Sequence, residues 1–391
     1  MNYRISPQAA ALSPSLTLAI DARAKQMKAE GLDVVGFGAG EPDFDTPQHI
    51  KDAAKKALDE GFTKYTPSSG IPELRQAIAD KFRRENGLTY KPSQIIVSCG
   101  GKHSCFNTVL ATCGPGDEVI IPAPYWLSYP EMVKLAGARP VIVPTTDATE
   151  FKLTPEQLRA AITDRTRLLI LNSPSNPTGT VYTPAELRAL GEVCLEREVL
   201  IMSDEIYEHL LYDGAVHQSM ASFSPAHYAH TIVVHGFAKA WSMTGWRLGF
   251  LAAPEPVARA IDAIQSHSTS NPTSFAQKGA VAALTGPQDH LKVWLAEFAK
   301  RRTYAHQRLN AMPGITCVNA KGAFYLFPNI ARTGLKSAEF CARLLDEEKV
   351  AAVPGIAFGA DDYIRISYAT SMTNIEKGLD RLERFVRRLV K

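Results

Sequence analysis

The stretch Gln94-Ile95-Ile96-Val97-Ser98-Cys99-Gly100-Gly101-Lys102 runs from an apolar segment into a polar, glycine-bearing turn, and a helix-like run starts just beyond it at Ser104. A short run that is continuously apolar, rather than alternating, predicts a strand covered on both faces. Similar short runs recur at Glu118–Ile121, Pro140–Val143, Leu168–Leu171, Val199–Met202, Ile232–Val234 and Leu248–Ala252, with helical patterns between them from about residue 47 to 290. Strands that alternate with helices predict an α/β fold with a doubly wound, mainly parallel sheet. One of the helices is plain at Pro72–Glu85. Proline sits in its first turn, Leu74, Ile78 and Phe82 share a face, and Gly87 stops it.

The flanks differ. Residues 1–46 and 295–391 carry longer helical patterns and a few strand-like runs, such as Ala323–Phe327 and Tyr363–Ser367. They predict a smaller α+β domain built from both termini, around a large domain spanning residues 47–294. A chain of 391 residues is also too long for one small core. With 45% hydrophobic and 21% charged residues, the composition is that of an ordinary soluble globular protein. A formal charge of +3 and no long like-charge run give no electrostatic basis for nucleic-acid or membrane-surface binding. The basic cluster Arg381, Arg384, Arg387, Arg388 and Lys391 predicts a solvated helix face.

The six cysteines are scattered and form no C-x-x-C pair, which predicts free thiols in a reducing compartment and neither a disulfide framework nor a metal site. The weak apolar stretch Ala9–Leu12 is cut by Ser13-Pro14, so no signal peptide is expected. No apolar run approaches the ~20 residues that span a bilayer. The expected location is cytoplasmic.

Open parallel sheets collect ligands beyond the carboxyl ends of their strands. Four strand ends here carry polar or reactive groups: Ser98–Lys102, Asn172-Ser173-Pro174, Asp204-Glu205, and Lys239 a few residues past a fourth. Lys239 stands among small and apolar residues between two buried-looking strands, where a desolvated amine has a lowered pKa and becomes nucleophilic. Arg247, a little further on, suits a phosphate, which arginine grips with a planar fork. A nucleophilic lysine beside a phosphate-binding arginine suggests pyridoxal phosphate. A nicotinamide dehydrogenase shares the fold class, but Gly36-x-Gly38-x-Gly40 is not its G-x-G-x-x-G fingerprint.

Lys239-x-x-x-Met243-Thr244-Gly245-Trp246-Arg247 resembles the cofactor-lysine motif of fold-type I pyridoxal-phosphate-dependent aminotransferases. Asn172–Gly179, Ser203–Glu208, Ala39–Phe44, Pro124–Pro130 and Tyr363–Ala369 extend the resemblance nearly end to end. Within that family the motifs look like those of bacterial aspartate aminotransferases of subgroup Ib, some of which also act on prephenate. The resemblance implies ping-pong transfer between L-aspartate and 2-oxoglutarate, giving oxaloacetate and L-glutamate. The alternative it leaves open is a bifunctional aspartate/glutamate–prephenate enzyme. A C–S lyase or cyclopropane-forming synthase would keep the same cofactor residues. A non-catalytic regulator would carry a DNA-binding domain or lose the lysine.

The resemblance also assigns residues. Lys239 would hold the cofactor and move the proton. Asp204 would pair with the pyridine nitrogen, Asn176 and Tyr207 with the phenolic oxygen, and Trp126 would stack on the ring. Gly100, Gly101 and Lys102, before a helix, would cradle the phosphate together with Arg247. Tyr65 would reach that phosphate from a neighbouring subunit, which implies a homodimer with shared sites. On the substrate side, Arg365 and Gly40 would meet the α-carboxylate, with Trp126 and Asn176 as further contacts. Lys102 and Thr17 would take the distal carboxylate, since Ser266–Pro272 offers no arginine. One departure is Ala238, where many relatives place a serine before the lysine; a hydroxyl contact near the phosphate is thereby missing.

Overall fold

The computed structural model describes residues 3–12 and 16–390, with the side chains of residues 16–18 and 21 outside that description. Among the described residues there are twelve strands: β1 (Val35–Gly36), β2 (Ile95–Ser98), β3 (Glu118–Ala123), β4 (Arg139–Pro144), β5 (Thr166–Asn172), β6 (Leu200–Asp204), β7 (Thr231–Gly236), β8 (Gly249–Ala252), β9 (Tyr325–Leu326), β10 (Val350–Ala351), β11 (Val353–Pro354) and β12 (Ile364–Ser367).

The seven apolar runs of the central segment all become strands of one sheet, in the order β2-β8-β7-β6-β5-β3-β4. Every residue of β2, β7 and β8 is buried, as continuous apolar runs require when helices cover both faces. β4 is the exception: it lies at the edge and is largely exposed. β3 to β7 pair in parallel, and β8 alone runs against its neighbours β7 and β2. That reversal positions the site. A parallel partner would demand a crossover to the far end of the sheet, whereas an antiparallel one lets the chain turn back where it is. The connection from β7 to β8, which carries Lys239, therefore stays at the carboxyl end of β7.

The expected helix is present as Pro72–Asn86, with Pro72 in its first turn and Gly87 closing it at φ 66. The left-handed conformation is one glycine adopts without steric cost. Its buried face holds Leu74, Ile78 and Phe82, and also Lys81.

The two ends of the chain meet. β1 pairs in parallel with β10, Val35 opposite Val350. Val35 and Phe37 pack in one apolar cluster with Phe298, Leu344, Leu382 and Phe385. Beside it, β11, β12 and β9 form a small antiparallel sheet. The helix Asp289–Asn310 runs through residue 294, the expected domain boundary. The basic face of the last helix is solvent-facing and ion-paired: Arg381 with Asp33, Arg387 with Glu383, and Arg384 and Arg388 with Glu348. The six cysteines are free. No helix among the described residues is long and apolar enough to cross a membrane.

Candidate active site

A cavity of about 450 Å³ opens beyond the carboxyl ends of β2, β5, β6 and β7, and it is lined by Gly40, Gly101, Lys102, Trp126, Asn176, Asp204, Tyr207, Lys239, Arg247 and Arg365. Residues far apart in sequence thus converge on one crevice, at the place where open α/β sheets bind ligands.

Lys239 enters from the β7–β8 connection. Its amine donates to the Gly40 carbonyl and lies 5.5 Å from the ring centres of Tyr207 and Phe324. Burial, then the Arg365 guanidinium, brings its pKa down from the ordinary lysine value to about 8, against the pull of Glu41 and Asp204. The loop is tied to the N-terminal segment as well. Thr46 donates to the Ser242 carbonyl at 2.7 Å, and Thr244 donates to Glu41 at 2.7 Å.

Asp204 ends β6 and is only 6% exposed. The Tyr129 hydroxyl donates to its Oδ2 at 2.6 Å, Cys105 Sγ lies 3.8 Å from the same oxygen, and the Ile206 amide reaches Oδ1 at 3.3 Å. Burial still pushes its pKa up, because these donors only partly replace water.

At the other end, the helix Gly101–Thr112 presents its N-terminus to the cavity. Gly100 has φ 95, and a Cβ there would collide with the Arg247 guanidinium, so glycine keeps this end open. Arg247 is anchored by the Thr244 carbonyl at 2.9 Å and by that of Cys99 at 3.4 Å. Free backbone N–H groups, a helix dipole and an arginine form a site for a phosphate-like dianion.

Arg365, on β12, is 2% exposed. It donates to Asn176 Oδ1 at 3.0 Å and to the Gly38 carbonyl at 2.8 Å, and its Nε has no partner. A buried guanidinium with an unspent donor suits a carboxylate. Since Asn176 accepts through its oxygen, its amide hydrogens are left to donate. The Tyr207 hydroxyl pairs with that of Tyr325 at 3.0 Å.

Among the described residues, two of those expected, Gly100 and Tyr65, are not in the lining of the cavity. Tyr65 is 92% exposed on this chain. The expectation for the Thr17 side chain lies outside the described residues. Conversely, the cavity includes Glu41, Tyr129, Asn172 and Tyr325, to which the sequence alone assigned no role. Asn172 had a signal as the polar end of an apolar run; its amide donates to the Asp204 carbonyl at 2.9 Å. Tyr129 and Tyr325 fall within the stretches Pro124–Pro130 and Ala323–Phe327 noted in the sequence, but only their long-range pairing sets them apart from core tyrosines.

These residues fit pyridoxal phosphate by their chemistry: a nucleophilic amine, a buried carboxylate, an anion cradle that a Cβ would block, and an arginine with a spare donor. The family described as aminotransferase class I and II matches residues 32–382. The aspartate aminotransferase of Geobacillus stearothermophilus is 53% identical over 388 residues, covering 98% of this chain and 99% of that protein. The aspartate/prephenate aminotransferase of Cereibacter sphaeroides is 50% identical over 392 residues, covering 97% and 98%. Among solved structures, an aspartate aminotransferase from Rhizobium meliloti matches with a TM-score of 0.96 at 43% identity, covering 99% of this chain and 100% of that one. An aspartate aminotransferase from Thermus thermophilus, solved with maleate, matches at 0.94 with 44% identity, covering 98% and 100%.

Proposed function

This chain belongs to the class I and II aminotransferases, and from that premise we propose that it transfers the amino group of L-aspartate to 2-oxoglutarate with pyridoxal 5′-phosphate as cofactor. Its architecture is the fold-type I α/β arrangement expected from the sequence. The observation that carries the reading is the convergence of a lysine with a pKa near 8, a buried aspartate and a buried arginine on one cavity. When bound, the cofactor supplies an electron sink for negative charge at the substrate Cα.

The chain's own residues supply the rest. Lys239 holds the cofactor, and as a free amine takes the Cα proton. Asp204 holds a proton on the ring nitrogen by its charge. Gly100, Gly101, Lys102 and Arg247 bind phosphate, Trp126 covers the ring face, and Asn176 and Tyr207 donate to the phenolic oxygen. Arg365, with the Gly40 backbone, orients the α-carboxylate, and Lys102 with Thr17 takes the distal one. Aspartate is supported by the relatives' names and by maleate, itself a dicarboxylate, in the Thermus protein. Relatives named aspartate/prephenate aminotransferase at 50% and 46% identity support prephenate as a second acceptor.

We read residues 1–46 and 295–391 as one smaller domain and 47–294 as the large one, supported by the β1–β10 pairing and the apolar cluster that joins the two ends. The working protein is a cytoplasmic homodimer with shared sites. The cofactor-loaded protein should be yellow and lose that absorbance on addition of aspartate, and Lys239→Ala should abolish the response. Unchanged transamination by Lys239→Ala would refute the assignment.

A further inference from the structure

Tyr129 lies in the helix Ser128–Leu135 and is 2% exposed. Such a buried hydroxyl must find an acceptor. This one takes Oδ2 of Asp204 at 2.6 Å, across 75 positions of sequence. Its ring meets Trp126 edge-on, with centroids 5.2 Å apart and planes at 86°. Resting on the cofactor site proposed above, we infer that Tyr129 is a positioning residue for that site: its hydroxyl holds Asp204 ionised and oriented, and its ring sets the plane of Trp126.

The acceptor count supports a division of labour on the carboxylate. Oδ2 is engaged by Tyr129 and faced by Cys105. Oδ1 receives only the long Ile206 contact and has room for a ligand N–H. The direction of the tyrosine bond is fixed, because burial and the neighbouring Asp204 push the Tyr129 pKa well above its ordinary value, so it stays protonated and donates. The charge balance around Asp204 shows why a donor matters. Burial disfavours its anion and Glu205, next to it, adds to that, while Tyr129, the Ile206 amide and Cys105 oppose them. Tyr207 also faces it from its own loop, and Lys239 from the β7–β8 connection. Without Tyr129 the carboxylate would keep a proton to higher pH and be a weaker partner for a protonated ring nitrogen.

The test uses apoprotein reconstituted with pyridoxal phosphate, in four forms: wild type, Tyr129→Phe, Asp204→Asn and the double variant. Tyr129→Phe should raise the cofactor dissociation constant about tenfold or more, the size expected for losing a hydrogen bond to a charged group. In the Asp204→Asn background the same change should add almost nothing. Tyr129→Leu, which also removes the ring, should bind more weakly than Tyr129→Phe.

A second readout needs no cofactor. Asp204 titrates in the folded apoprotein above its unfolded value, so its contribution to stability is present at low pH and lost as pH rises through the folded value. Tyr129→Phe should carry that loss to higher pH, and Asp204→Asn should abolish it. If Asp204→Asn weakens binding but Tyr129→Phe does not, the inference is overturned while the cofactor reading stands. If Asp204→Asn binds as wild type, Asp204 is not the ring's partner and both fall. An unchanged apoprotein titration in Tyr129→Phe overturns the inference on its own.

Discussion

A lysine is a nucleophile only as the free amine, and at neutral pH an ordinary lysine almost never is one. Lys239 escapes this because burial and the Arg365 charge both work against its ammonium form, bringing its pKa to about 8. In apoprotein, labelling of Lys239 by an amine reagent should rise with a midpoint near pH 8, and Arg365→Met should move that midpoint upward. A midpoint at the ordinary lysine value would refute the environment described. Lys102 does different work. Its ammonium lies 5.0 Å from the Trp126 ring centre at the phosphate end of the cavity. Lys102→Ser should lower kcat/KM for aspartate and glutamate roughly ten- to a hundred-fold, and leave alanine and phenylalanine nearly unchanged, since they put no charge there. An equal loss for both classes would confine Lys102 to the cofactor. Lys239 and Asp204 were legible from sequence because reactive groups at the ends of apolar strands are out of place there. Tyr129 and Tyr325 were not, because a core tyrosine and a site tyrosine look alike until their partners are known.

Among the elements, the helix Pro72–Asn86 shows what periodicity captures and what it misses. Its apolar face was plain, yet that face also buries Lys81, whose side chain is 0% exposed and pairs with Glu208. Glu208 accepts from Asn86 at 2.9 Å and lies 2.9 Å from His235, which tethers the segment after Tyr207 to the helix and to β7. Burial opposes ionisation of Glu208, but Lys81, His235 and His209 outweigh it and hold its pKa well below the usual range. Stability from this group is therefore present above about pH 4.5 and lost as pH falls through the folded value. Removing one partner of a buried pair strands the other charge, so Lys81→Met should cost about 3–5 kcal/mol in urea unfolding at pH 7. A loss below about 1 kcal/mol would mean that water reaches Glu208. The strands divide similarly. Seven apolar runs gave seven strands of the central sheet, but a run has no direction, so the reversal of β8 was invisible. The two-residue strands β1, β10 and β11 exist only through their partners, and composition carries no trace of that, whereas β9 lies inside the expected run Ala323–Phe327.

For the molecule as a whole, the question is whether one chain completes a site. Lys239, Asp204, Arg365 and Arg247 all line one cavity of a single chain, whereas Tyr65, the expected phosphate ligand, is 92% exposed and does not line it. An exposed tyrosine ring loses apolar hydration when covered, and its hydroxyl then needs an acceptor. In the proposed homodimer a second copy related by a two-fold axis would provide both, and the same contact would be made twice. Hybrids separate this arrangement from a self-contained chain. In a dimer of one Tyr65→Phe chain and one Lys239→Ala chain, the site holding Lys239 would receive its tyrosine from the Lys239→Ala partner and be wild type. Equimolar, re-equilibrated mixtures should therefore show, at about half of their lysine-bearing sites, tighter cofactor binding than Tyr65→Phe alone, and a matching gain in activity. If Tyr65 served its own chain, every lysine-bearing site would still lack the hydroxyl, and mixing would recover nothing.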